Sequence, residues 1–161
     1  MMRGAPTVIV AGAGTAGLAV AALLAATAAP GYLEGNTEAH SRVERIVSYL
    51  GKVKDLPLHH RLHQAWAASY DPRAMAPADR DAALAALLKL QRPDGGWNLA
   101  SLGKWKRKDG TMNEADSAPS DGYATGLVAL AWEDAGVPPN DPWLMRGLSW
   151  LARNQNPAEG Q

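Results

Sequence analysis

Ala83-Leu84-Ala85-Ala86-Leu87-Leu88-Lys89-Leu90-Gln91-Arg92-Pro93 returns 64 residues later as Gly147-Leu148-Ser149-Trp150-Leu151-Ala152-Arg153-Asn154-Gln155-Asn156-Pro157. Both stretches place Leu, Leu, a basic residue, Gln and Pro at the same relative positions. Leu-rich, Ala-rich segments with few β-branched clusters favour helices over strands. A period of this size fits two helical hairpins, so the chain reads as an array of repeated hairpins. Such units cannot bury their apolar faces alone and must stack on one another or close into a ring.

The flanking sequence carries the same reading. Asn36-Thr37 caps a helix through Ala39, Val43, Ile46, Val47 and Leu50, an i, i+3, i+4, i+7 pattern that Gly51 is expected to stop. A further helix is predicted from about Pro57 to Tyr70, with Leu58, Leu62, Ala65 and Trp66 on one side, ended by Asp71-Pro72. Pro77-Ala78-Asp79 opens the next, to about Gln91, before the turn Arg92-Pro93-Asp94-Gly95-Gly96. Asn98 to Ser120 is polar and irregular. Helices over about Gly122–Ala135 and, capped by Asn140-Asp141 with Pro142 in its first turn, to about Asn154 complete an all-α chain.

Composition removes several kinds of chemistry. The 161 residues suggest one domain, and Lys plus Arg equals Asp plus Glu at 16 each, so no net field recruits nucleic acid. The basic run Lys104-Trp105-Lys106-Arg107-Lys108 is followed closely by Asp109, Glu114, Asp116 and Asp121 and reads as a solvated loop. With no cysteine there is no disulfide, thiolate nucleophile or Cys-based zinc site. His59 and His63 lie one turn apart, but His60 stands where a zinc protease needs Glu, and they read as surface or packing histidines with no metal.

Gln91-Arg92-Pro93-Asp94-Gly95-Gly96-Trp97 resembles the turn half of the QW motif of squalene/hopene cyclases. Arg146-Gly147-Leu148-Ser149-Trp150-Leu151-Ala152-Arg153-Asn154-Gln155 resembles its helical half. A Gln amide at a helix end can bond backbone groups that the helix leaves unsatisfied, an indole can cover it, and glycine makes the tight turn. Gln91, Gly95, Trp97, Trp150 and Gln155 are therefore the expected structural set. The match is partial: Ala82 and Ala86 replace a basic and an aromatic residue in the first copy, and in the second Glu159 takes the glycine position with Gly160 one residue late.

The resemblance implies an α/α toroid of the terpenoid-cyclase and protein-prenyltransferase superfamily. Six helices make about half of one, with residues 30–161 as the repeat domain, incomplete at its C-terminus. It implies an apolar isoprenoid or lipid as ligand, no cofactor, association with a membrane surface, and self-association to close the ring. Cyclases of the family protonate their substrate with an Asp-rich motif before an inner helix. Here Ser120-Asp121-Gly122-Tyr123 stands in that place, with Asp121 the one matching carboxylate. Asp121 is thus both the sole candidate catalytic acid and, from its position alone, a helix N-cap. Trp105, Tyr123 and Trp132 are candidate cavity-lining residues able to stabilise cations through their π faces; repeat packing is the competing role. The competing function is a non-catalytic helical-repeat module for a protein or lipid partner.

Residues 1–29 keep several readings open. Gly12-Ala13-Gly14-Thr15-Ala16-Gly17 matches a dinucleotide-binding G-x-G-x-x-G after Thr7–Val10, yet no second strand leads to the acidic Glu34. Met1-Met2-Arg3, an apolar run and Ala26-Thr27-Ala28 are laid out as a signal segment, which would place the protein outside the cytoplasm or at a membrane. The same residues also suit a small-residue helix of the toroid.

Overall fold

The computed structural model describes residues 15–27, 31–104, 106, 108–113 and 118–155. Among them the chain is all-α. Its helices are α1 (Thr15–Thr27), α2 (Thr37–Lys52), α3 (Leu58–Tyr70), α4 (Pro77–Leu88), α5 (Gly122–Asp134) and α6 (Pro142–Arg153), with 3₁₀ turns at Pro72–Ala74 and Leu99–Leu102. The strand-like pairing described is one isolated antiparallel bridge, Lys106 to Met112. Thr7–Val10, Gly12, Gly14, Trp105, Glu159 and Gly160 lie outside the described residues, and Gly17 falls within α1.

Side-chain caps start three of the helices. Asn36 accepts from Ala39 N at 2.9 Å, Asp121 from Ala124 N at 2.7 Å, and Asp141 from the N–H groups of Trp143 and Leu144, with Pro142 in the first turn. Each satisfies donors that a helix N-terminus leaves open, worth about 1 kcal/mol.

Two helix ends depart from the sequence reading. Gly51 does not stop α2, which continues to Lys52. A Cβ at Gly51 would stand 2.6 Å from the Arg73 carbonyl oxygen, so this glycine admits the Pro72–Ala74 turn against the helix. α4 ends at Leu88 instead of Gln91 because the carbonyl of Leu87, which would accept from Gln91 N in a continuing helix, accepts from Leu90 N and from the Trp97 indole N–H at 2.8 Å.

α3 packs between α1 and α5, and each odd-numbered helix also packs on the helix that follows it. His59 at the start of α3 meets Tyr123 at the start of α5, while Tyr70 and Asp134 meet at their ends. The two helices therefore run in the same direction, and α1–α2, α3–α4 and α5–α6 are three hairpins side by side. The 64-residue period corresponds to one hairpin plus a long excursion, not to two hairpins. That excursion, Asn98–Ser120, is tied down by asparagine amides, Asn98 donating to Ala118 O and Asn113 to Gly103 O, which compete with helix formation.

Two apolar clusters meet at α3 and α4. One joins α1 and α2 to them through Leu23, Val47, Leu50 and Ala67; the other gathers Leu62, Leu87, Leu102, Val128 and Leu144 around Trp97. Burying a side chain of this size contributes about 1.5–3 kcal/mol.

The two motif copies bind each other. Trp97, fully buried, lies against Gly147 of α6 and stands edge-on to Trp132, ring centroids 5.3 Å apart. Gln91 Nε2 donates to Gly95 O at 2.9 Å and to Trp143 O at 2.8 Å. From α6, Arg146 reaches the carbonyls of Arg92 and Pro93, the Trp150 indole N–H donates to the Asp94 carboxylate at 3.1 Å, and Arg153 donates to Asp94 O. Burial alone would push the Asp94 carboxyl up, but the Gly96 N–H, the Ser120 hydroxyl and the Trp150 indole N–H hold it below the usual carboxylate range. In the second copy Gln155 is exposed, and the amide that bonds the end of its helix is Asn154, donating to Trp150 O at 2.8 Å.

Gly95 has φ +96°, and a Cβ there would stand 2.8 Å from Arg146 O. Gly95→Ala combines left-handed strain with a backbone clash. It should lower unfolding free energy by about 2–3 kcal/mol in urea denaturation, whereas Gly136→Ala, whose Cβ would meet open space, should lose less.

Candidate functional site

The seam where α3 and α5 run side by side gathers the chemistry-bearing side chains. His59, His63, Trp66 and Tyr70 recur at i, i+4, i+7 and i+11 along one side of α3; Tyr123, Gly126, Leu130 and Asp134 lie at i, i+3, i+7 and i+11 along α5. Three direct contacts cross between them. Tyr123 Oη lies 3.3 Å from His59 Nε2, while Asp134 Oδ2 accepts from both the Trp66 indole N–H and the Tyr70 hydroxyl at 2.6 Å. Tyr70, Tyr123 and Leu130 are each more than two-fifths exposed, so the seam carries an open apolar and aromatic surface. A Cβ at Gly126, between Tyr123 and Leu130, meets nothing within 4 Å.

One end of the seam is built from buried imidazoles. His63 Nδ1 lies 2.8 Å from the His59 carbonyl oxygen, which only accepts, so Nδ1 carries the proton. The two rings stand edge-on with centroids 4.6 Å apart. Burial, reinforced by His63 and His60, pulls the His59 pKa down to about 4. Burial also lowers His63, against the raising effect of its bond to the His59 carbonyl. Both rings are therefore neutral at pH 7. Burial and the nearby Asp121 carboxylate push the Tyr123 phenol up. At the other end, the bond to Asp134 does the same to Tyr70. No group of three or more His, Cys, Asp or Glu among the described residues could hold a metal ion.

Asp121 is a cap here, and its geometry argues against the acid role. One carboxylate oxygen accepts from Ala124 N at 2.7 Å and the other from Leu99 N at 2.6 Å. Both oxygens accept from backbone donors, the arrangement of a helix cap. Trp132 is also reassigned, being 2 % exposed and packed edge-on to Trp97 inside the core instead of on a cavity wall. Tyr123 does reach an open surface. Trp105 lies outside the described residues, and Gln91, Gly95, Trp97 and Trp150 belong to the interlocked turn described above.

The sequence reading does not single out Trp66, Tyr70, Gly126, Leu130 or Asp134 as site residues, nor does it place His59 and His63 beside Tyr123. A signal for them existed. His59 to Tyr123 and Tyr70 to Asp134 are both separated by the 64-residue period that relates the two motif copies. Elsewhere, a cleft of about 580 Å³ opens at the α2–α3 turn, lined by Lys54, Asp55, Arg61, Gln64 and Asp79 among others; its walls mix both charges and lack the aromatic character of the seam. No described helix is long and apolar enough to cross a membrane.

No protein-family model, no curated protein and no solved structure matches the chain.

Two outcomes follow. Between pH 6.5 and about 4 the unfolded chain binds a proton that folded His59 refuses, so stability is full above this window and falls as pH drops through it, by up to about 1.4 kcal/mol per pH unit. Urea midpoints should decline from pH 7 to pH 4.5, and His59→Gln should flatten that decline. Asp121→Ala should lower stability by about 1–2 kcal/mol through loss of the cap, and Asp121→Asn, which keeps one accepting oxygen for Ala124 N but sets its NH2 against the Leu99 N–H, should recover only part of that loss in the same denaturation experiment.

Proposed function

We propose that the chain is a squalene/hopene-cyclase-like segment of an α/α toroid that binds an apolar isoprenoid chain along the α3–α5 seam and holds it without protonating it. The observation that carries this reading is the seam itself. Two helices running in the same direction present Trp66, Tyr70, Tyr123 and Leu130 toward an opening that Gly126 keeps clear. From Tyr123 to Asp134 it extends about 16 Å at a helix rise of 1.5 Å per residue. A surface of this kind removes hydrocarbon from water without demanding a polar partner at each step, and its π faces tolerate a flexible polyene.

Three hairpins stacked side by side, with one of each pair in a common row, support the toroid reading, as does the engagement of the first QW-like turn by the helical half of the second. The engaged carboxylate of Asp121 separates binding from cyclisation. An acid that opens a double bond must present a proton to it, and this one faces two amides. Closing the ring by self-association belongs to the same proposal, because a half ring leaves its apolar inner surface open to water.

The decisive variant is Gly126→Leu. It fills the opening with an isobutyl group where space exists and replaces glycine within a helix, a change worth about 1 kcal/mol in favour of the helix. Equilibrium binding of a fluorescent farnesyl analogue should weaken at least tenfold while the thermal midpoint stays level or rises. Equal binding by the variant, or no binding by the parent chain, would overturn the reading.

A further inference from the structure

The two ends of the seam differ in chemistry. The far end is a carboxylate, Asp134, already holding the Trp66 and Tyr70 donors. The near end is a phenol–imidazole couple, Tyr123 Oη at 3.3 Å from His59 Nε2, with His63 edge-on behind it. His59 and His63 are 8 % and 4 % exposed, whereas Tyr123 is 44 % exposed, so the phenol is the part of the couple that a ligand meets. A polar group in such a position selects what the hydrocarbon surface cannot, namely the head of the chain.

We infer that the His59–Tyr123 couple recognises a neutral hydroxyl head on the seam's apolar ligand and discriminates against a diphosphate head; this rests on the isoprenoid-binding reading above. In either imidazole tautomer the couple uses one hydrogen in its own contact and leaves the phenol oxygen able to make another bond. That matches a hydroxyl, which both donates and accepts. An anionic head needs cations or several converging donors to replace its water. Among the described residues, the polar groups that meet across the seam are two neutral rings at one end and a carboxylate with its donors at the other, and the Asp121 carboxylate acts on Tyr123 from the cap of its own helix. Burial keeps His59 and His63 uncharged at neutral pH, so neither supplies a cation.

The test compares farnesol, farnesyl diphosphate and the saturated hydrocarbon farnesane by equilibrium binding at pH 7.5. Farnesol should bind about tenfold more tightly than farnesane, and the diphosphate more weakly than farnesol. Tyr123→Phe keeps the ring and removes the hydroxyl. It should bring farnesol to the farnesane level while farnesane itself binds unchanged, an outcome that loss of structure would not produce. Binding of all three without a preference for the alcohol, or a preference that survives in Tyr123→Phe, overturns this inference and leaves the isoprenoid reading standing. Binding of none of the three sinks both.

Discussion

A buried indole joins the second and third hairpins. Trp97 returns from a glycine turn to donate to Leu87 O, which ends α4; its ring packs against Gly147 of α6 and Trp132 of α5; and its backbone carbonyl accepts from Asp121 N, where α5 begins. One side chain and its peptide groups thus touch three helices. Bringing an indole into this position requires the left-handed residue Gly95 before it and the absence of a side chain at Gly147 facing it. The gain is large because the indole removes an extended apolar area from water while its one polar atom remains bonded.

That contact also sets the register of the seam. Once the first turn is seated on α6 and Trp97 is bonded to the start of α5, α5 lies beside α3 with equivalent positions abreast, 64 residues apart in the chain. In-register stacking turns a sequence period into a spatial juxtaposition. His59 comes to Tyr123, and Tyr70 to Asp134, because they hold the same place in successive units. The binding surface proposed for the seam is in this sense a by-product of the packing. It also accounts for the capping role of Asp121, the residue that resembles a cyclase acid motif. Asp121 stands where the chain must turn into α5, and the amides of Leu99 and Ala124 converge on it. The same position that suggests catalysis by resemblance of motif is the one where a helix needs a cap.

Much of the fold was legible. Asn36, Asp141 and Pro142 announce helix starts through local chemistry that does not depend on the rest of the molecule, and the Val43–Val47–Leu50 face is buried as its spacing requires. Gly51 and the end of α4 were not legible. In each case a group distant in sequence, the Arg73 carbonyl or the Trp97 indole, overrides the local preference. The site was less legible still. The candidate cavity residues Tyr123 and Trp132 are both aromatic and both in α5, yet one is exposed on the seam and the other is 2 % exposed in the core. Nine residues apart on a helix, they point in opposite directions, and only the neighbours decide which direction is inward.

The amino-acid sequence by itself determined the helices, their caps and the glycine turn after Gln91, because these follow from propensity, hydrogen-bonding side chains and glycine acting within a few residues. Tertiary structure alone decided which of the aromatic residues of α5 was buried, that the two motif copies engage each other, and that His59 is kept neutral against Tyr123. Those outcomes depend on desolvation and on close approach between segments some 64 residues apart, and neither quantity exists until the helices have packed.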